Sequence, residues 1–150
     1  MDLDNDFQMI LDYAHFWNWL PDWNIVKDIY RVFPKSYSIL TPFAYSYLEE
    51  LIRSTTSEYA IGLHDKHGNP RRIKVGYALI ELAINENQNN MDLVELLKQS
   101  KQYFKSSDFS EGGENRNNVN HGYMPPKYWE KESFENLIHF IATFSKFAGF

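Results

Sequence analysis

The sequence contains no cysteine among its 150 residues. This absence excludes disulfides, thiolate zinc sites and cysteine nucleophiles together. It is typical of a protein that works in a reducing compartment. Any catalytic group must therefore come from other side chains.

The sequence also lacks the apolar runs of secreted and membrane proteins. Residues 1–6 are acidic and contain no apolar stretch, which argues against a signal peptide. No apolar stretch approaches the roughly 20 residues that a bilayer-spanning helix needs. We therefore expect a cytoplasmic protein with no membrane partner.

Basic residues are fewer than acidic residues, 15 against 20, so the formal net charge is −5. This balance argues against a broad, non-specific nucleic-acid binder, which usually has a basic face. It leaves room for a nuclease with a local basic cleft. Basic residues do cluster locally, first at Lys66, Arg71, Arg72 and Lys74, and again at Lys98, Lys101 and Lys105. A solvated surface is the competing interpretation of both groups.

Several familiar site motifs are missing as well. We find no phosphate-binding loop, dinucleotide fingerprint, zinc-ligand spacing or nucleophile elbow. His64, Asp65 and His67 are loosely spaced for metal ligands, and a turn explains Asp65 and His67 equally well. We expect neither a metal nor a cofactor.

Aromatic residues are abundant, with 11 Phe, 10 Tyr and 4 Trp making up 17% of the chain. Aromatic rings bury large areas, so this excess predicts a thick core. The length predicts one domain over residues 1–150. Rings that the core does not use are available for a partner surface or for stacking on bases.

Apolar residues recur at three- and four-residue steps over most of the chain, which predicts helices. We predict a first helix over residues 3–20 that Pro21 ends, and a short second helix before Pro34. Thr41 and Pro42 are predicted as the N-cap and first residue of a helix reaching about residue 59. Further helices are predicted over 77–87, from about 92 to 104 and from about 133 to 148, and the segment over 114–124 is a candidate helix that Pro125 and Pro126 would stop.

Residues 61–75 interrupt this pattern with a turn-rich centre at residues 66–70. They predict either a short hairpin or a long loop. The fold class that we predict is all-α, an up-and-down bundle of five to six helices, with any strand confined to residues 60–75.

Residues 116–123, with the sequence RNNVNHGY, are the most informative stretch. Arg116 keeps its proton and presents a planar fork of donors suited to phosphate. His121 is suited to moving protons near neutral pH. Together they are a minimal set for cleaving a phosphodiester without metal.

The pattern Arg-Asn-x3-His-Gly resembles the signature of the HEPN domains (higher eukaryotes and prokaryotes nucleotide-binding). These are helical bundles, and many are metal-independent ribonucleases of toxin–antitoxin, abortive-infection or CRISPR-linked defence systems. The resemblance implies that Arg116 and His121 are the catalytic pair and that Asn117 is the polar residue that commonly follows the arginine. Tyr123 extends the match to Arg-x4-His-x-Tyr, a form found in the toxins of HEPN–nucleotidyltransferase pairs. RNA is then the substrate, and an antitoxin or nucleotidyltransferase is a candidate partner.

The spacing of the motif favours a site built from two chains. Each helical residue turns by about 100°, so Arg116 and His121 diverge by about 140° on one helix. Asn117 shares a face with His121, whereas Tyr123 shares a face with Arg116. A second copy of the same segment across a two-fold axis would complete the site. The resemblance implies the same homodimer with a composite cleft, in which Asn117, Asn120 and Tyr123 are the candidate substrate-binding residues.

Two alternatives to a ribonuclease stay open at this point. A histidine at a helix end is usually a packing or capping residue, and Arg116 could pair with Glu111 or Glu114. The chain would then be a non-catalytic HEPN-like module that binds RNA, a nucleotide or a partner protein, or an unrelated helical domain. In any of these cases Glu49, Glu50 or Glu58 of the third predicted helix could reach Arg116 and orient it. His15 and His139 are interpreted as structural histidines.

Overall fold

The computed structural model describes residues 2–62, 64–106, 113–122 and 124–150. Over these residues the protein is all-α, which confirms the predicted fold class. The described helices are α1 (Leu3–Tyr13), α2 (Leu20–Val32), α3 (Tyr37–Ser54), α4 (Gly76–Glu86), α5 (Met91–Ser100), α6 (Arg116–Asn120) and α7 (Lys131–Ser145). Short 3-10 turns lie at Pro34–Ser36, Lys101–Phe104 and Pro126–Tyr128. The bundle thus has seven described helices where five to six were predicted.

Helix α3 lies at the centre of the bundle and contacts α4, α6 and α7, while α1 packs on α2 and α7. The core between them is strongly aromatic, as the composition predicted. Trp23 and Tyr47 are fully buried and meet edge to face, with ring centroids 5.0 Å apart. Such pairs add to the free energy gained by burial alone.

The predicted first helix over residues 3–20 is wrong, because the chain leaves the helix after Tyr13. His15 organises the break: its Nδ1 accepts hydrogen bonds from the backbone N–H groups of Trp17 and Asn18, each at 3.4 Å. Pro21 lies in the first turn of α2 instead of ending α1. Proline suits that position because its fixed φ is helical and it has no N–H to leave unpaired.

Helix α3 also differs from its predicted bounds. It begins at Tyr37, directly after the 3-10 turn, so Pro42 lies inside it. Thr41 is not its N-cap, because its hydroxyl donates to the Tyr37 carbonyl within the helix at 2.7 Å. The helix ends at Ser54, where the hydroxyls of residues 54–56 donate to the carbonyls of residues 51–53. Those bonds satisfy acceptors that a helix end leaves free.

The segment over residues 60–75 is a long loop in its described part, with one isolated bridge between His64 and Pro70. Asp65 sets its turn, because one carboxylate oxygen accepts from the N–H groups of His67 at 2.8 Å and Asn69 at 3.0 Å. Proline has no N–H to extend a strand ladder, which explains why the hairpin goes no further.

Within the described residues, no helix combines the length and the apolar composition needed to cross a bilayer.

Candidate functional site

The motif lies on α6, a helix of only five residues that depends on side-chain anchors because an isolated helix of this length is unstable. Asn115 is its N-cap, and its Oδ1 accepts the Asn117 N–H at 2.8 Å. The Asn115 amide also donates to the carbonyls of Lys105 at 2.9 Å and Ser106 at 3.2 Å. Asn115 is completely buried, so it ties α6 to the segment that follows α5.

Gly113, two residues before this cap, is held by a side chain from the core. The hydroxyl of Tyr45 on α3 donates to the Gly113 carbonyl at 2.9 Å. Gly113 has a φ of +96°, and a Cβ there would lie 3.1 Å from the Trp129 side chain. Only glycine fits this backbone conformation without strain. The start of the motif is therefore fixed by packing against both α3 and the segment before α7.

Arg116 is held by an ion pair with Glu49 of α3. The distance from Nη2 to the Glu49 Oε2 is 2.8 Å, and the side chains are 21% and 10% exposed. Sequence alone left Glu49, Glu50 and Glu58 open as the orienting acid, and the structure assigns Glu49. The buried Arg116 Nε has no hydrogen-bond partner in the described part of the chain.

Asn117 fixes the same guanidinium from the other side. Its Oδ1 accepts from Arg116 Nη1 at 3.3 Å. Its amide nitrogen donates to the carbonyls of Phe104 at 3.0 Å and Lys105 at 2.9 Å. Asn117 therefore acts on Arg116 here, and no bond between it and the His121 ring occurs among the described residues.

His121 is exposed at the C-terminal end of α6, and its backbone N–H donates to the Asn117 carbonyl at 3.1 Å. Gly122 follows with a φ of +67°, the left-handed conformation that commonly terminates helices. No atom lies within 4 Å of a Cβ built there, so the backbone conformation is what requires glycine. The His121 imidazole is thus presented to solvent at the end of a fixed turn.

The α3–α6 cleft lies beside Arg116 and is lined by Ser46, Glu49, Glu50, Arg53, Arg116 and Asn120. Asn120 is exposed, whereas Val119 between the two candidate catalytic residues is buried in the core. Tyr123, the third candidate substrate-binding residue, lies outside the described residues. The structure thus brings Asn117 and Asn120 near Arg116, while His121 is exposed at the C-terminal end of the helix.

An ionic network surrounds the cleft. Arg53 contacts Glu49 at 3.5 Å, Glu50 at 3.5 Å and Glu58 at 3.7 Å. Lys74 from the 60–75 loop joins it through Glu58 at 3.4 Å. Glu49 is therefore shared by two arginines, and three carboxylates face three cations. The network makes Glu49 the link between α3, α6 and the loop.

We expect Glu49→Gln to lower the free energy of unfolding by about 1.5–3 kcal/mol, because the pair with Arg116 is largely buried and charge-assisted. Glu50→Gln is the matched control. Its carboxylate is more exposed and, among the residues that the structure describes, forms an ion pair with Arg53 alone, so the expected loss is below about 1 kcal/mol. Urea unfolding of both variants measures the difference. Equal losses would show that the Glu49–Arg116 ion pair contributes no more to the free energy of unfolding than the more exposed Glu50–Arg53 pair.

His139 has a structural partner, in agreement with its interpretation from the sequence. His139 Nδ1 lies 3.1 Å from both carboxylate oxygens of the buried Asp6, which joins α7 to α1. The Asp65 carboxylate accepts hydrogen bonds from backbone N–H groups, and these bonds lower its pKa, that from Asn69 more than that from His67. No group of three or more metal-ligating side chains occurs in the described ranges.

Asn115 and Gly113 are the site residues that the sequence interpretation missed. Asparagine is a favoured N-cap, so its position directly before Arg116 was a usable signal. Comparison with protein-family models, curated proteins and solved structures found no significant match to this chain in any of the three.

Proposed function

We propose that this protein is a metal-independent endoribonuclease of a defence or toxin system. The observation that carries the proposal is the arrangement on α6. Arg116 is oriented from two sides by Glu49 and Asn117, and His121 is presented to solvent on the same short helix. An oriented guanidinium and an accessible imidazole form a minimal set of groups for phosphodiester cleavage without metal. The resemblance of the motif to HEPN ribonucleases points to the same chemistry.

The reaction is transesterification within RNA. The ribose 2′-oxygen attacks the adjacent phosphorus, and the bond from phosphorus to the 5′-oxygen breaks. His121 removes the 2′-hydroxyl proton or protonates the departing 5′-oxygen. Arg116 holds the scissile phosphate and stabilises the charge that builds on it. The products carry a 2′,3′-cyclic phosphate and a 5′-hydroxyl, with no water consumed.

The active site is composed of two copies of the chain. Arg116 is directed towards α3 and His121 towards solvent, and five helical steps separate them by about 140°. On a straight helix this angle keeps the two side chains of one copy from meeting at one phosphate. A homodimer with facing α6 helices lets Arg116 of one protomer act with His121 of the other across the two-fold axis.

A non-catalytic module that binds RNA, a nucleotide or a partner protein is the second candidate. One observation favours it: Arg116 is largely buried and already neutralised by Glu49, so the ion pair also serves the fold. In that function the protein cleaves no RNA, and His121 is a surface residue without a catalytic role. An antitoxin or nucleotidyltransferase would be a partner under either proposal.

Incubation of the purified protein with RNA in EDTA tests the proposed reaction. We expect cleavage that resists the chelator and yields the cyclic and 5′-hydroxyl ends, because every proposed role belongs to a side chain. A 2′-deoxynucleotide at the scissile position should abolish cleavage, since it removes the nucleophile. Cleavage that stops in EDTA, or that continues at the 2′-deoxy position, would rule the mechanism out.

A further inference from the structure

The segment over residues 64–74, termed here the basic loop, has a charge opposite to that of the rest of the protein. It contains four of the 15 basic residues and one of the 20 acidic residues. Its formal charge is therefore +3, and that of the remaining chain is −8. A local positive segment on an acidic protein concentrates its attraction for anions at one place.

The single acid of the basic loop is turned onto the loop itself. Asp65 accepts hydrogen bonds from the backbone of His67 and Asn69, and its other oxygen accepts from the Asn69 amide at 3.4 Å. These bonds shape the turn that displays the neighbouring cations. The acid therefore serves the conformation of the loop and does not neutralise its basic side chains through an ion pair.

Three of the four cations are available to a ligand. Lys66, Arg71 and Arg72 are exposed, and none of them lies within ion-pair distance of a described carboxylate. The Arg71 Nε donates to the His64 carbonyl at 3.1 Å, a bond that joins the two ends of the turn and leaves the rest of the guanidinium in solvent. Lys74, by contrast, is paired with Glu58.

The base of the basic loop is tethered to the candidate site. Arg53 donates from Nη1 to the Lys74 carbonyl at 2.8 Å, and the Lys74 N–H donates to Glu58 at 2.8 Å. The Nη2 of the same arginine contacts Glu49, whose second oxygen holds Arg116. A continuous series of polar contacts therefore runs from the loop to Arg116 and keeps the loop at one end of the α3–α6 cleft.

We propose that the basic loop is the arm that binds the sugar–phosphate backbone of single-stranded RNA beside the scissile phosphate. Lys66, Arg71 and Arg72 each contact a phosphate, which fixes the strand without reading its sequence. The tether through Arg53 and Glu58 fixes the base of the basic loop, at Lys74, to the ionic network that holds Arg116. The identity of the ligand as RNA rests on the proposed function, but binding is measured separately from cleavage.

The test compares two triple variants with the same change in net charge. The first is Lys66→Gln with Arg71→Gln and Arg72→Gln. The control is Lys35→Gln with Lys98→Gln and Lys146→Gln, three exposed lysines elsewhere that make no ion pair with a described residue. The probe is a fluorescent single-stranded RNA with 2′-deoxynucleotides throughout its central positions, and its affinity is measured by anisotropy from 50 to 200 mM salt.

We expect the loop variant to bind more weakly and to lose about two units from the slope of log K against log salt, since each phosphate contact on a single strand contributes about 0.7. The ratio of wild-type to variant affinity for RNA should fall roughly 20-fold between 50 and 200 mM salt, the change that a slope difference of about 2 implies. The control triple should keep the wild-type slope. Thermal unfolding checks that both variants fold.

Equal behaviour of the two triples would overturn the inference, because net charge and not position would then govern binding. Unchanged RNA binding with lost binding to vesicles of anionic phospholipid would also overturn it and assign the loop to a membrane surface. If the loop variant loses binding while wild type cleaves no RNA in EDTA, the loop assignment stands and the proposed function fails. If wild type cleaves and the loop variant keeps its affinity and KM, the function stands and the loop assignment fails.

Discussion

Replacement of either His121 or Arg116 by alanine is expected to reduce RNA cleavage in EDTA by about 100-fold or more. Loss of a positioned proton-transfer group costs about 10²–10⁴-fold in rate. Loss of one preorganised donor to the developing charge costs about 10²–10³-fold. Cleavage rates at saturating RNA measure both effects on the chemical step.

The two variants differ in their structural consequences. His121 is exposed and at the end of α6, so its removal should leave stability unchanged within about 0.5 kcal/mol. Removal of Arg116 leaves Glu49 with Arg53 alone, so this variant also loses stability. Arg116→Lys separates the roles: it keeps a cation opposite Glu49, but a point charge does not replace the bidentate fork. We expect Arg116→Lys to fold like wild type and to remain inactive.

Full activity in both alanine variants would assign any cleavage to other residues or to a contaminant. The binding-module function would then be the better account, with the Arg116–Glu49 pair as a structural feature of the bundle. Activity restored by Arg116→Lys would contradict the planar-fork role of Arg116 specifically while leaving His121 in place.

Sequence periodicity located the helices that are amphipathic and well bounded. Helix α4 begins at Gly76 and α5 at Met91, within one residue of their predicted starts. The Asn90 side chain caps α5 by accepting the Leu93 N–H at 3.2 Å. These elements carry their own start signals and one apolar face, so local sequence was sufficient to predict them.

The first predicted helix failed because apolar residues continue past its end without being buried. Trp17 preserves the helical spacing but is 75% exposed in the loop after α1, and its neighbour Phe16 is 63% exposed. Hydrophobic periodicity cannot distinguish a buried ring from an exposed one. The His15 bonds that end the helix depend on a side-chain conformation that periodicity does not report.

The motif and its family resemblance made Arg116 and His121 candidates but did not indicate which side chains support them. The choice of Glu49 among three acids required the packing of α3 on α6. The predicted helix reached about residue 59 and included Glu58. In the structure Glu58 lies beyond α3, because the hydroxyl-rich sequence at residues 54–56 ends the helix early. Contacts between elements distant in sequence are the part that one sequence does not specify.

Mixed dimers test most directly whether Arg116 of one protomer acts with His121 of its partner. Co-expression of Arg116→Ala and His121→Ala chains with different affinity tags yields a dimer that carries one of each. One of its two composite sites keeps both wild-type groups, whereas the other keeps neither.

We expect the doubly tagged dimer to recover about half of the wild-type cleavage rate in EDTA, because one of two symmetric sites is intact. Doubly tagged dimers of two His121→Ala chains, purified in the same way, should stay inactive. A mixed dimer no more active than its parents would contradict the composite site.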